Sequence, residues 1–406
     1  MIRHTLSPTA MLFHADCRDA LRTMADCSVD AVVTDPPYEL NFMGKGWDNT
    51  GIANDPALWA EVFRVLKPGG HCAAFSASRT YHRMACAIED AGFEIRDSLM
   101  WVYGTGFPKS QDVSKFIDKM AGAEREVVAT IKKTPSAGGA NTNEGWVRPW
   151  AEGKTTMDIT APATDAAQEW QGWGTALKPA FEPIVLARKP LSEGTVAANV
   201  LRWRTGALNI DGCRVPGQAQ PFHNGSAKHS NSLGGGTEAS HYRGEWTPTK
   251  DGRWPANVVH DGSDEVVGAF PDSKGGGAPH ARNAAKGAGI LGAFAGNDAE
   301  RLGHAADSGS AARFFYSAKA SKADRAGSKH PTVKPISLME WLCTLITPPG
   351  GTILDPFGGS GTTAIAASNK GFPVILCERE AEYVTDIQGR FGPVGPVLPA
   401  APAGGR

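Results

Sequence analysis

Asp35-Pro36-Pro37-Tyr38 is the first segment of this chain whose residue types and spacing can do chemistry. It follows the apolar run Ser28-Val29-Asp30-Ala31-Val32-Val33-Thr34, and two successive prolines forbid further ladder bonding. The run therefore reads as a buried strand with a loop at its carboxyl end. The prolines stiffen that loop and leave their carbonyls without intrastrand partners. The Asp35 carboxylate and the Pro36 carbonyl then make a set of acceptors that can face an amino group, while Tyr38 can stack on a flat ring. Such parts suit an exocyclic amine on a base, whose lone pair the acceptors steer toward an electrophile. They also suit a proline-ended strand with a partly buried tyrosine.

A second constellation lies near the other end of the chain. Thr352-Ile353-Leu354 reads as a strand, Asp355-Pro356-Phe357-Gly358-Gly359-Ser360-Gly361 as a glycine-rich turn, and Thr362 to Lys370 as a helix. In that arrangement a cofactor can approach backbone N–H groups at a helix N-terminus. Phe372 to Cys377 reads as the next strand and ends at Glu378, an acid placed to accept both hydroxyls of a ribose. A glycine turn alone is a weak signal, but strand, helix and terminal acid in register point to a nucleoside-binding half-sheet.

The elements around these motifs alternate. Asp55-Pro56 supplies a cap and a first-turn proline, and Leu58, Trp59, Val62, Phe63, Val65 and Leu66 recur at helical spacing until Lys67-Pro68-Gly69-Gly70. His71 to Ser76 is expected as a strand, Arg79 to Ala91 as a helix closed by Gly92, and Phe93 to Tyr103 as another strand. Strands alternating with helices predict a parallel, doubly wound α/β sheet.

From about 120 to 310 the pattern dissolves. Phe181-Glu182-Pro183-Ile184-Val185-Leu186-Ala187 and Trp254-Pro255-Ala256-Asn257-Val258-Val259 look ordered, whereas 217 to 252 and 271 to 310 have the composition of linkers or loops. Of the 11 tryptophans, Trp146, Trp150, Trp170, Trp173, Trp203, Trp246 and Trp254 lie in this span, which argues for a compact module with a partner-facing surface. The expected organisation is 1–120 and 311–395 as two halves of one domain, 121–310 as a central region, and 396–406 as a frayed tail.

Composition narrows the partners. With 41 Lys and Arg against 42 Asp and Glu, net charge is -1, which excludes the chain-wide basic field of a histone. Nucleic acid would have to meet local patches. Between 313 and 334, Arg313, Lys319, Lys322, Arg325, Lys329 and Lys334 face a single acid, Asp324, and make a candidate phosphate track or a solvated basic face. Lys178, Arg188, Lys189, Arg202 and Arg204 could form a second. The 7 cysteines are scattered without a CxxC pair, against a disulfide framework or a zinc site and consistent with a reducing cytosol. His4, His14 and Asp16 interrupt the N-terminus, and no long apolar run occurs, so an intracellular, cytoplasmic protein without a membrane span is expected.

The pair Asp35-Pro36-Pro37-Tyr38 and Asp355-Pro356-Phe357-Gly358-Gly359-Ser360-Gly361-Thr362-Thr363 resembles the amino-methyltransferases that use S-adenosylmethionine to methylate DNA on an exocyclic nitrogen. Their order, with the DPPY motif first and a long central region before the glycine motif, resembles the circularly permuted beta class. HADCRDAL from His14, FFYSAKAS from Phe314 and HPTVKP from His330 extend the resemblance at both ends, while GTGFPKS and LKPAFEPIVLARKP are its scattered matches in the centre.

The resemblance implies a Rossmann-like methyltransferase fold with a loop-rich target-recognition insertion and S-adenosylmethionine as cofactor. Asp35, Pro36, Pro37 and Tyr38 would form the catalytic pocket, with Tyr38 stacked on a flipped base. Asp355, Phe357, Gly358, Gly359, Ser360, Gly361 and Thr362 would surround the methionine part of the cofactor, and Glu378 its ribose. Asp16 would accept from the cofactor's adenine, unless it only caps a turn, and Thr332 and Lys334 would close the cofactor site, unless Lys334 is only a solvated charge. Asp at the first motif position favours adenine N6 as target over cytosine N4. Methylation of RNA or of a protein amide, and a catalytically silent DNA-binding protein of the same fold, are the other readings. Double-stranded DNA is the expected partner, with a homodimer possible, and no metal is called for.

Overall fold

The computed structural model describes residues 1–40, 46–104, 106, 110–132, 156–216, 222–223, 246–247, 252–274, 308–318, 324, 328 and 333–392. Two compact units emerge, one made of Met1–Val102 with Phe181–Arg406 and the other of Tyr103–Ala180.

The larger unit is built on a ten-stranded sheet. Its strands in chain order are β1 (Ile2–Ser7), β2 (Ala10–His14), β3 (Val29–Thr34), β4 (Leu66–Phe75), β5 (Glu94–Val102), β6 (Phe181–Arg188), β7 (Val258–His260), β8 (Tyr316–Ser317), β9 (Ile353–Asp355) and β10 (Val374–Glu378). Across the sheet they run β1-β2-β10-β9-β3-β4-β6-β5-β7-β8. From β2 to β4 neighbours are parallel, β6 is antiparallel to both β4 and β5, and β1 forms an antiparallel hairpin with β2.

Alternation along the strands buries both faces. Ala31 and Val33 of β3 enter one core with Phe75, Ile184, Ile353 and Leu376, and Val32 enters the other with Cys72, Ala74, Val185 and Leu354. The first core is closed by the helices Ile336–Ile346, Thr362–Asn369 and Ala381–Phe391, the second by Cys17–Arg22, Pro56–Val65 and Tyr81–Asp90. A sheet covered on both faces is the doubly wound α/β arrangement that the sequence predicts, but it is mixed rather than wholly parallel, since β1 and β6 run antiparallel to their neighbours.

Several boundaries differ from expectation for local reasons. Asp55 does cap the helix Pro56–Val65, accepting from the Ala57 N–H at 2.9 Å, but Lys67-Pro68-Gly69-Gly70 is not the stop that follows it. Those residues already lie in β4, where the pairing with β3 jumps from Val29–Leu66 to Ala31–His71. Gly69 at φ +79° donates to the carbonyls of Lys189 and Pro190, so a bulge absorbs the turn-forming residues inside the strand. The hairpin β1–β2 and the helix Ile336–Ile346 were not read from the sequence. The two ordered islands of the central region contribute β6 and β7 to the main sheet, so these parts of 121–310 belong to the larger unit.

The unit Tyr103–Ala180 carries the helices Val113–Met120 and Asp165–Glu169 and an antiparallel hairpin of Val127–Lys132 with Thr156–Thr160. Arg125 joins these parts, bonding Asp118 Oδ2 at 2.6 Å and Thr160 Oγ1 at 2.9 Å. Among the described residues no helix is long and apolar enough to cross a membrane.

Candidate functional site

At the centre of the sheet β9 connects outward to β10 on one side and β3 to β4 on the other, so strand order reverses between β9 and β3. Loops leaving the carboxyl ends of strands at such a switch point diverge and open a crevice. Both motifs sit there. Asp16 follows β2, Glu378 ends β10, Asp355 ends β9 and Asp35 follows β3, which places one acid at the carboxyl end of each of four adjacent parallel strands.

The glycine turn is shaped by close approach. Gly358 donates to the Cys377 carbonyl at 2.8 Å, and a Cβ there would lie 3.2 Å from that oxygen. Gly361 has φ +76°, and its Cβ would meet Ile387 at 3.0 Å, so glycine is required both by conformation and by space. The helix Thr362–Asn369 starts at this residue with no side chain capping it. Asp355 is buried, and its Oδ1 accepts from the Thr34 hydroxyl at 2.7 Å and the Phe357 N–H at 3.1 Å. Burial pushes its carboxyl up to about 6 against the lowering effect of the Thr363 and Thr34 hydroxyls and the Phe357 N–H. Glu378 accepts from Gly359 N–H and Glu380 N–H, both at 2.7 Å, and burial lifts it to about 7. Ser360 and Thr362 pair through their hydroxyls at 2.9 Å.

Asp16 is the N-cap of Cys17–Arg22, accepting from Arg18 N–H at 3.0 Å, and it also binds the Arg18 guanidinium through both oxygens. That side-chain bond is the chief reason its carboxyl lies below the usual range.

The other loop is held by residues the sequence did not single out. Asp48, 2% exposed, accepts from the Tyr38 and Glu39 N–H groups at 2.8 and 3.0 Å and from Leu40 N–H at 3.2 Å. Thr80 donates to the Tyr38 carbonyl at 2.9 Å. The backbone around Tyr38 is thus clamped on its donor and acceptor sides, with Pro36 buried and Pro37 half-buried beside Asp35.

Lys334 crosses into this pocket. Its ammonium is 2.6 Å from Asp35 Oδ2 and 3.4 Å from Glu182 Oε2, above the rings of Phe75 and Tyr38 at 5.0 and 5.2 Å. The sequence reading grouped Lys334 with the cofactor residues, and its bonds place it on the DPPY loop. Burial pulls the ammonium down, but Asp35 and Glu182 outweigh it and leave the group above the ordinary lysine range. The Tyr38 hydroxyl donates to Glu182 Oε2 at 2.8 Å, and burial, followed by the charges of Asp35 and Glu182, holds its pKa well above normal. Asp35 Oδ1 is buried with no hydrogen-bond partner among the described residues.

A sequence profile described as DNA methylase, covering the N6 and N4 methyltransferases, matches residues 29–389, nearly the whole span from β3 to the last helix. The chain belongs to the DNA methylase family. It is similar to the type II methyltransferase M.HindIII of Haemophilus influenzae, 27% identical over 175 residues that cover 43% of this chain and 40% of that protein. It is also similar to the type II methyltransferase M2.DpnII of Streptococcus pneumoniae, 43% identical over 70 residues covering 17% of this chain and 26% of the relative. The matches thus take in less than half the length of these curated relatives. Among solved structures, the M1.HpyAVI–SAM complex aligns with TM-score 0.39 and 16% identity over 94% of this chain and 99% of that one. The cytosine-N4-specific PvuII DNA methyltransferase aligns with TM-score 0.44 and 14% identity over 95% and 93% of the two chains.

For a DNA methylase the basic residues matter as well. Arg313 is committed locally, bonding the Ser273 hydroxyl and carbonyl and the Gly309 and Ser310 carbonyls, and stacking on Phe314. Lys319, Lys322, Arg325, Lys329 and Thr332 lie outside the described residues. Of the second set, Arg188 pairs with Glu94 at 2.6 Å, and Lys189 donates to the carbonyls of Phe63 and Leu66 at 2.7 Å each. Besides Asp48 and Thr80, two further structural residues escaped the sequence reading. Glu182 lay in an island read only as ordered, within a scattered match of the centre, and Arg390, which bonds the Ser360 carbonyl at 2.6 Å and so supports the glycine turn from the last helix, lay in no motif. Glu182 stands directly before Pro183 at the start of an apolar run, a pattern that marks an acid at a strand end, but nothing local says which pocket that end faces.

Proposed function

We propose that this chain is a DNA methyltransferase of the permuted beta class that transfers a methyl group from S-adenosylmethionine to N6 of adenine in double-stranded DNA. The observation that carries this reading is the Asp35 carboxylate: one oxygen is fixed by Lys334 and the other is buried without a partner among the described residues, beside Pro36 and Tyr38. A buried acceptor without a donor is costly, and an amine offered by a ligand would satisfy it.

The residues at the glycine turn fit the cofactor. Gly358 and Gly361 let the turn pack closely on Cys377 and Ile387, the following helix lacks a side-chain cap, and the Glu378 carboxylate, engaged by backbone N–H groups including those of Gly359 and Glu380, retains lone-pair capacity for a ribose hydroxyl. Asp355, Phe357, Ser360, Thr362 and Asp16 complete the set. When bound, S-adenosylmethionine supplies an electrophilic methyl group on a positively charged sulfur.

The chain's own residues then do three things. Tyr38 offers its ring to a base turned out of the duplex, and stacking recovers part of the few kcal/mol that extrusion costs. Asp35 Oδ1 and the Pro36 carbonyl accept the two amine hydrogens and aim the nitrogen lone pair. Lys334 and Asp48 hold that acceptor geometry before the base arrives, so proximity and orientation rather than a covalent enzyme intermediate lower the barrier. The type II methyltransferases among the relatives support DNA as substrate and a place in restriction and modification. Asp at the first position of DPPY supports adenine.

Incubation with methyl-labelled S-adenosylmethionine and DNA, followed by digestion to nucleosides, tests the reading. Label in N6-methyladenine is expected. Label in N4-methylcytosine would sink the adenine assignment, and a labelled product only with RNA or protein would sink DNA as substrate.

A further inference from the structure

Lys334 poses a problem that the pocket itself answers. Its side chain is 7% exposed, its ammonium lies over two aromatic rings, and its shortest bond is to Asp35. Asp35 is also the group that faces the target amine under the function proposed above, and the following argument rests on that reading. During methyl transfer the new nitrogen–carbon bond forms as the carbon–sulfur bond breaks, with its electron pair left on sulfur. The nitrogen must then lose one proton: an N–H bond breaks, its pair stays on nitrogen, and an O–H bond forms at Asp35 Oδ1. Asp35 is now neutral. A buried ammonium whose one carboxylate had been neutralised would be an uncompensated charge, among the most destabilising arrangements in a protein interior.

A second carboxylate is already in place. Glu182 Oε2 lies 3.4 Å from the same ammonium, delivered by β6, which is antiparallel to its neighbours and brings its first residues to the edge where β3 and β4 end. Pro183 next to it accepts from Ser76 N–H at 3.0 Å, which fixes this end of β6 to the residue following β4. We propose that Glu182 is the reserve counter-ion of Lys334, keeping the buried ammonium paired while Asp35 carries the proton taken from the target amine. Asp35, with its side chain 21% exposed, returns that proton to water once product leaves. Glu182 therefore acts through Lys334 as a positioning residue, and its bond to the Tyr38 hydroxyl is a separate task.

Asp35→Asn imitates the neutral state of Asp35, so the idea can be read from melting temperatures without any turnover. Asp35→Asn and Glu182→Gln should each lower the melting temperature slightly, since one carboxylate still faces Lys334. The double variant should lose ~5 °C or more beyond the sum of the single losses, and adding Lys334→Met to it should restore most of that excess. Additive losses, or no recovery with Lys334→Met, overturn the counter-ion. In single-turnover methylation Glu182→Gln should slow the reaction ~10-fold or more with unchanged S-adenosylmethionine affinity, whereas Tyr38→Phe, which keeps the ring and removes the hydroxyl that donates to Glu182, should slow it far less. Equal losses would reduce Glu182 to an orienter of Tyr38 and overturn the proposal. Absence of methylation by the wild-type chain overturns it together with the function reading, while additive melting with intact methylation overturns the counter-ion alone.

Discussion

The Thr34 hydroxyl donates to the Asp355 carboxylate at 2.7 Å across 321 residues of chain, and this bond ties together the ends of the two strands that carry the motifs. Asp355 in turn accepts from the Phe357 N–H, so the DPPY loop and the glycine turn share one buried acceptor. The end of β3 and the glycine turn are therefore tied through a single side chain.

Asp355 should make stability depend on pH. Its carboxyl is raised from 3.8 to about 6 by burial, so its contribution to stability is fully present below about pH 4 and is lost as pH rises through 6. Asp355→Asn keeps an acceptor for Thr34 and Phe357 and removes the charge. Urea denaturation at pH 8 should show the variant more stable than wild type, by at most ~3 kcal/mol, with the difference shrinking toward pH 4. A wild type that is the more stable of the two at pH 8 would contradict the buried charge as a cost.

Gly361 should be far less replaceable than Gly350. Both have positive φ, +76° and +72°, but a Cβ at 361 meets Ile387 at 3.0 Å whereas nothing lies within 4 Å at 350. Gly350→Ala should cost ~1 kcal/mol for conformation alone. Gly361→Ala should cost ~2–3 kcal/mol and weaken S-adenosylmethionine binding measured by calorimetry, because the helix start must shift. Equal costs would mean that the contact with Ile387 relaxes freely.

Asp48 is expected to matter for turnover more than for cofactor binding. Asp48→Ala leaves the N–H groups of Tyr38, Glu39 and Leu40 without their acceptor and frees the loop bearing the target pocket. A fall in methylation rate of ~10-fold or more is expected, with S-adenosylmethionine affinity within about twofold. A comparable loss of cofactor affinity would show that the two loops move as one.

Asp35→Ala should abolish methyl transfer while leaving cofactor affinity within about tenfold, or 1.4 kcal/mol. Titration calorimetry with S-adenosylmethionine separates the two effects. Retained activity in this variant would remove Asp35 from the pocket.

Local chemistry made much of this readable in advance. The β-branched run ending at Asp35-Pro36-Pro37, the cap and proline at Asp55-Pro56, and the glycines before Thr362 each act within a few residues, so their strand, helix and turn appear close to where the sequence puts them. Lys67-Pro68-Gly69-Gly70 has an equally local stop signal, yet tertiary pairing with Lys189 and Pro190 turns it into a bulge within β4. Strand order, and with it the crevice between β3 and β9, is a property of how distant segments pair.

By itself, then, the sequence determined the two motifs, the alternating α/β pattern and the acids Asp35, Asp355 and Glu378 at strand ends, because steric and hydrogen-bonding preferences of neighbouring residues suffice for these. Only the tertiary structure decided that Thr34 meets Asp355, that Glu182 arrives from an antiparallel strand, and that Lys334 pairs with Asp35. Each of those contacts joins groups far apart in the chain. A charge or a hydroxyl has no preferred partner until the sheet has fixed which loop ends are neighbours and burial has removed water as the alternative.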